Sequence, residues 1–158
     1  MAKIHYEADG TIAPERFIAA LTDFSPRRPE LWPNLSPAFF KVYEVGDTWA
    51  EVQEGTDVLG GLWARERYDW SEPGRVRLTL VESPSFRPGT VIDYRVSSRP
   101  GGCHVAVDFQ RIATSFNGRL VGAIVQLAGR RRFSADLRAT LTRLAALESP
   151  ADGSGGPQ

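Results

Sequence analysis

Between residues 38 and 112, apolar and polar side chains alternate in six short runs: "AFFKVYEV", "TWAEVQE", "LWARERYDW", "RVRLTLVE", "TVIDYRVS" and "CHVAVDFQRI". A period of two marks a strand with one buried face. The connections between runs, such as GD and SEPG, are too short for the crossover of about a dozen residues that parallel neighbours need. The six runs therefore predict an antiparallel meander. A seventh strand precedes them, since in "KIHYEA" Ile4, Tyr6 and Ala8 alternate with Lys3, His5 and Glu7.

Helical spacing appears at both ends of this meander. Pro14 suits a first helical turn, and Phe17, Ile18, Leu21 and Phe24 follow at intervals of three and four, predicting a helix over residues 13–23. In "FSPRRPELWPNLS", residues 24–36, Pro26, Pro29 and Pro33 forbid a long helix but leave room for one turn at "RPELW". Residues 116–147 read as a final helix with a stripe of Phe133, Leu137, Leu141 and Leu144. Before Gly129 the same helix is apolar around most of its circumference, which predicts cover on more than one side. A twisted antiparallel sheet with one apolar face curls and buries that face under the long helix. The fold class is thus expected to be α+β, as one domain over residues 1–147, with residues 148–158, rich in Gly and Ser, as a disordered tail.

This order of elements, together with "RPELWP", "WARERYDWSEPGRVRLTL" and "LAGRRRFSADLRATLTRL", resembles the SRPBCC superfamily, the helix-grip or birch-pollen-allergen-like fold, in its polyketide cyclase and lipid-transport branch. The resemblance covers about residues 3–147. It implies a curved seven-stranded antiparallel sheet wrapped around a long C-terminal helix, with two short helices between the first two strands. It also implies a long cavity between sheet and helix.

Composition narrows the partners. The 158 residues carry 19 Lys+Arg and 19 Asp+Glu, so no overall field draws the chain to nucleic acid, and no specific nucleic-acid binding is expected. The single cysteine, Cys103, excludes an internal disulfide. No apolar run approaches the roughly 18 residues of a membrane span, and no leader pattern opens the chain. A soluble, cytoplasmic protein is expected, monomeric or homodimeric, without stable membrane insertion. Lysine occurs only at positions 3 and 41, and this strong preference for arginine suits a GC-rich bacterial genome.

Strand parity gives the candidate site. Leu62, Ala64, Glu66, Tyr68 and Trp70 share one face, as do Val76, Leu78 and Leu80, then Ile92, Tyr94 and Val96, then Val105, Val107 and Phe109. A cavity bounded by Leu62, Ala64, Tyr68, Leu78, Leu80, Ile92, Tyr94, Val105 and Val107 is expected, with Ile124 or Val125 as its roof and Trp32 at its entrance. Trp32 could equally plug the core. Glu66 is the one acid on this apolar face. Enclosed without a partner it would hold its proton and suit a ligand anchor or a general acid; alternatively it pairs with Arg111 or meets water at the mouth. The Tyr68 and Tyr94 hydroxyls either point into the same space or find backbone partners.

Other chemistry lacks support. Cys103 and His104, adjacent on a strand, face opposite ways, which excludes a zinc site or a Cys-His dyad built from them. No phosphate-binding glycine loop or Gly-x-Ser-x-Gly elbow occurs, so neither a metal nor a cofactor is expected. "GRRRF" reads as a solvated helix face. The pattern favours a binder or carrier of a small hydrophobic ligand, such as a lipid, fatty acid or polyketide. Two alternatives stand beside it: a cyclase or dehydratase using Glu66 and the tyrosines, and a protein-interaction module with a filled core.

Overall fold

A computed structural model describes residues 2–148, apart from the side chains of Ala2, Val121, Val125 and Ala128. The expected tail, from residue 149 onward, lies outside the described residues. Strand β1 (Ala2–Gly10) is followed by helix α1 (Pro14–Leu21) and the single turn α2 (Arg28–Leu31). Then come β2 (Lys41–Val45), β3 (Trp49–Thr56), β4 (Leu62–Asp69), β5 (Arg75–Glu82), β6 (Val91–Arg99), β7 (Gly102–Arg111) and the final helix α3 (Phe116–Glu148). The strands form one sheet in the order β1-β7-β6-β5-β4-β3-β2. Every pairing in it is antiparallel.

The register turns the period-two pattern into continuous rows on one face. Tyr68, Leu78, Ile92, Phe109 and Ile4 lie side by side across five strands, and Val76, Tyr94, Val107 and Tyr6 form the next row. Neither row could face water without exposing a large apolar area, so α1 and the C-terminal part of α3 cover them. Phe17 and Leu21 of α1 and Leu137, Leu141 and Leu144 of α3 are buried in the resulting core. Burying a leucine side chain fully contributes about 1.5–3 kcal/mol. Phe133 continues the stripe, its ring centroid 5.4 Å from that of Tyr6.

Both sheet edges are protected against further pairing. On β1, Ser134 Oγ accepts from the Glu7 amide at 3.4 Å and Gln126 Nε2 donates to the Lys3 carbonyl at 3.2 Å, so α3 shields that edge. On the other side β2 is short, exposed at all five positions and bulged between Val42 and Glu44. The alternation over residues 38–45 predicts a longer strand. Instead Pro37–Phe39 forms a turn of 3-10 helix, because proline opens a helical turn readily and offers no amide to a ladder.

A second correction concerns α3, expected to be unbroken over residues 116–147. Gly129 breaks it with φ 68° and ψ 171°, a conformation open in practice only to glycine. Gly118 sits tight against the loop between β5 and β6, where a Cβ would stand 2.4 Å from the Ser85 carbonyl oxygen. Between these two glycines the helix takes its own direction, and Phe116, Leu120, Ile124 and Leu127 are exposed. The cover on several sides that its apolar circumference predicts is therefore missing for these four side chains.

The core assignment predicts that Leu141→Ala, at a fully buried position, lowers stability to urea by about 2–5 kcal/mol. A loss below about 0.5 kcal/mol, as at surface sites, would contradict it.

Candidate functional site: a cavity with tied and free polar groups

The inner face of β3 to β7 and the segment from α1 to residue 35 line an open-mouthed cavity of about 350 Å³. Leu21, Trp32, Leu35, Leu62, Ala64, Leu78 and Ile92 supply apolar wall. Arg28, Glu54, Glu66, Tyr68, Tyr94 and Arg111 reach the same space. Three of these polar side chains are bonded to one another; the other three are not.

The bonded set is built around Arg28, only 2% exposed although it belongs to a proline-rich surface segment. Its Nε donates to Glu54 Oε1 at 2.6 Å and its Nη2 to the Tyr68 hydroxyl at 3.2 Å. Tyr68 in turn donates to Glu54 Oε2 at 2.5 Å, closing a triangle. The remaining donor, Nη1, reaches the carbonyls of Leu21 at 2.7 Å and of Ala20 and Asp23 at 3.3 Å. Those carbonyls lie at or just beyond the C-terminus of α1, where acceptors lack helical partners and a cation is favoured. Phe24, Trp32 and Tyr68 present their rings at 4.9, 5.6 and 5.7 Å from the guanidinium carbon. Burial alone would pull the Arg28 pKa down, but Tyr68 and Glu54 outweigh it and hold the guanidinium charged. Burial, and then the Glu54 charge, push the Tyr68 hydroxyl well above its ordinary range.

Glu66, Tyr94 and Arg111 form the free set. The Glu66 carboxyl is 5% exposed and makes no hydrogen bond or ion pair with any described residue. Desolvation raises its pKa above the ordinary 4.5; the Arg111 charge opposes the rise and the Glu54 charge adds to it. Tyr94, buried beside it, is pushed up to about 12 by desolvation and by Glu66. Arg111 lies against the rings of Phe86 and Phe109, at 4.7 and 5.1 Å from their centroids. Its Nε is buried with no hydrogen-bond partner. The cavity thus offers an acid that retains its proton more readily than in water, a neutral phenol and an unpaired cation.

Of the residues that strand parity selects, Trp32, Leu62, Ala64, Glu66, Tyr68, Leu78, Ile92 and Tyr94 line the cavity. Trp32 does so while its Nε1 donates to the Ala20 carbonyl at 3.1 Å. Val105 and Val107 have the expected parity but are fully buried in the core under α1 and α3, away from the cavity. Leu80 shares the face yet is absent from the lining. Its row ends at the bulge between Arg65 and Glu66, where the β4–β5 register shifts. Ile124 is 48% exposed and roofs nothing, for the reason Gly129 gives. The Val125 side chain lies outside the described residues. Tyr68 finds a carboxylate and a guanidinium rather than a backbone partner, and Glu66 does not meet Arg111 in an ion pair.

Arg28 and Glu54 are absent from the sequence-based candidates. Glu54 shares its face with Ala50 and Val52, so its parity was available as a signal. No period marks Arg28. On the outer face, Asp108 takes His5 Nδ1 and Asp9 takes His104 Nδ1, both at 2.7 Å, and Cys103 is buried on the opposite side. Among the described residues no group of His, Cys, Asp and Glu is arranged to hold a metal ion. No described helix is long and apolar enough to cross a membrane.

No family model matches the chain, and no curated protein is significantly similar in sequence. Solved structures are similar. TTHA0849 from Thermus thermophilus superposes with a TM-score of 0.73 at 17% identity, over 93% of this chain and 99% of that one. Zhui aromatase/cyclase from Streptomyces sp. R1128 gives 0.70 at 16% identity, over 96% and 98%. A START superfamily protein from Mycobacterium smegmatis gives 0.68 at 10% identity, over 91% and 99%. At these identities the likeness is one of fold. The chain has the helix-grip, START-like fold of the SRPBCC proteins.

Two measurements test the division of the polar groups. Arg28→Met strands the Glu54 carboxylate and should cost about 3–5 kcal/mol in urea unfolding. Adding Glu54→Gln should recover part of that loss, a coupling a double-mutant cycle reads directly. For Glu66 the sign follows from its raised pKa. The native state is favoured while the acid is protonated in both states, below pH 4.5, and loses stability as pH rises from there through the folded pKa. Glu66→Gln removes that loss, so its stability relative to wild type should increase as pH rises above 4.5. A difference independent of pH would show the carboxyl to be solvated.

Proposed function

From a helix-grip fold whose cavity holds unpaired polar groups, we propose that this chain binds a small, largely apolar molecule whose oxygen-bearing end meets Glu66 and Tyr94. The observation that carries the reading is the cavity itself. Its volume of about 350 Å³ falls within the roughly 300–1,000 Å³ of ordinary ligand sites, and its apolar walls converge on a few polar groups. The filled core of an interaction module would leave no such space. The START superfamily and aromatase/cyclase names of two structural neighbours support the same direction. A lipid, fatty acid or polyketide-like molecule suits the walls. The working compartment we propose is a bacterial cytoplasm, with the chain acting as a monomer or homodimer.

A second reading, an enzyme of the cyclase or dehydratase type, is favoured by one observation: Glu66 is buried, unpaired and raised in pKa, the condition of a general acid. It stands behind the first because none of the cavity residues is a histidine and no base is paired with the acid.

Extraction of the purified protein with organic solvent, followed by mass spectrometry, should release an apolar small molecule. Ala64→Phe, which projects a ring into the cavity, should fold with a cost of about 1–3 kcal/mol and lose at least about tenfold in affinity for that molecule. Undiminished binding would move the site elsewhere. Glu66→Gln separates the two readings: a carrier keeps most of its affinity for a neutral apolar ligand, whereas an enzyme dependent on the acid loses on the order of 10²-fold or more in turnover.

A further inference from the structure

Resting on the ligand-binding reading above, we propose that the molecule taken up by this cavity is a carboxylic acid, an apolar body ending in one carboxylate that docks on Arg111. Arg111 closes the inward-facing row of β7 behind Val105, Val107 and Phe109. The Phe86 and Phe109 rings lie against its guanidinium and position the side chain, and its Nε is buried. The in-plane N–H donors remain available, in the fork geometry that matches a carboxylate.

What sets Arg111 apart from the other arginines with a buried, unpartnered nitrogen is that none of its nitrogens has an acceptor among the described residues. Arg28 spends its donors on Glu54, Tyr68 and helix-end carbonyls. Arg65 and Arg143 also have a buried Nε without a partner, but a terminal nitrogen of Arg65 reaches Glu51 and one of Arg143 reaches the Leu31 carbonyl. Among the described residues, no acceptor forms a hydrogen bond or ion pair with any nitrogen of Arg111, which lines the cavity. A half-buried cation of this kind, with its Nε out of reach of water, is satisfied when a ligand brings the counter-charge.

The surroundings select the anion. Glu54 and Glu66 reach the same cavity, and the Glu54 charge is already matched by Arg28. A single unmatched guanidinium facing two acids suits one negative charge; a doubly charged phosphate would meet repulsion it cannot offset. Leu62, Ala64, Leu78 and Ile92 require the rest of the ligand to be apolar.

The test is calorimetric titration of the full chain with two matched pairs: decanoic acid against decanol, and 2-naphthoic acid against 2-naphthalenemethanol. In at least one pair the acid should bind about tenfold or more tightly than its alcohol. Arg111→Gln should cost the acid far more affinity than the alcohol and so abolish that preference, and Arg111→Lys should retain part of it. Equal affinities for acid and alcohol in the wild-type protein, or a preference that survives in Arg111→Gln, would overturn the carboxylate while leaving the cavity reading intact. Should Arg111→Gln not fold, the wild-type pairs decide alone. If neither member of either pair binds, the cavity reading falls, and the carboxylate falls with it.

Discussion

A buried guanidinium holds the working parts of this molecule together. Arg28 is drawn out of water by three aromatic rings, and its donors are shared between the sheet, through Glu54 and Tyr68, and the end of α1, through backbone carbonyls. Moving a cation from water into such a place is costly, and the cost is offset only if every donor finds an acceptor in good geometry. That requirement locks the segment from α1 to Trp32 onto the sheet at one position. Wherever that segment sits, the mouth of the cavity follows.

The same interaction gives the polar groups of the cavity their separate characters. Glu54 and Tyr68 are committed to Arg28 and to each other, so a ligand would have to break existing bonds to use them. Glu66, Tyr94 and Arg111 have no such commitment. In a low-dielectric space the unbonded groups are the ones that pull on a ligand's oxygens, because each lacks the partner it would have had in water. Glu66 feels both its desolvation and the neighbouring Glu54 charge, and Arg111 only partly compensates. An acid of raised pKa beside an unpaired cation would distinguish oxygen-bearing ligands from hydrocarbons.

The fold supplies this arrangement through sheet register and the cover over it. Rows of inward side chains cross from β4 to β1, and the part beneath α1 and the second half of α3 is packed solid, while the part nearer β3 and β4 remains open. The break at Gly129 bears on this division, since it lets the leucine stripe after it seat on the core while the helix before it keeps its own course. The exposed Phe116, Leu120, Ile124 and Leu127 accompany that freedom.

Much of this was legible in the chain alone. A period of two fixes, by the geometry of a strand, which side of the sheet each residue takes, and so Glu66, Tyr68 and Tyr94 were expected to share an interior face with Leu62, Ala64, Leu78 and Ile92, while Arg111 entered only as a possible partner of Glu66. The antiparallel order followed from connection lengths, and the seat of α3 from Leu137, Leu141 and Leu144. Position along the strands was beyond reach. Val105 and Val107 have the same parity as Leu62 and Ala64, and only the curvature of the sheet and the placement of α1 decide that the valines meet a helix and the others a cavity. Arg28 was hidden because a proline-rich turn has no period, and a charged residue in such a segment reads as solvated until its acceptors are seen. Its acceptors, 7 and 26 residues away in Leu21 and Glu54, come together only when the sheet has formed. Local spacing encodes orientation, because orientation is set by the backbone of a few residues; burial and pairing at a distance are set by what the rest of the chain brings there.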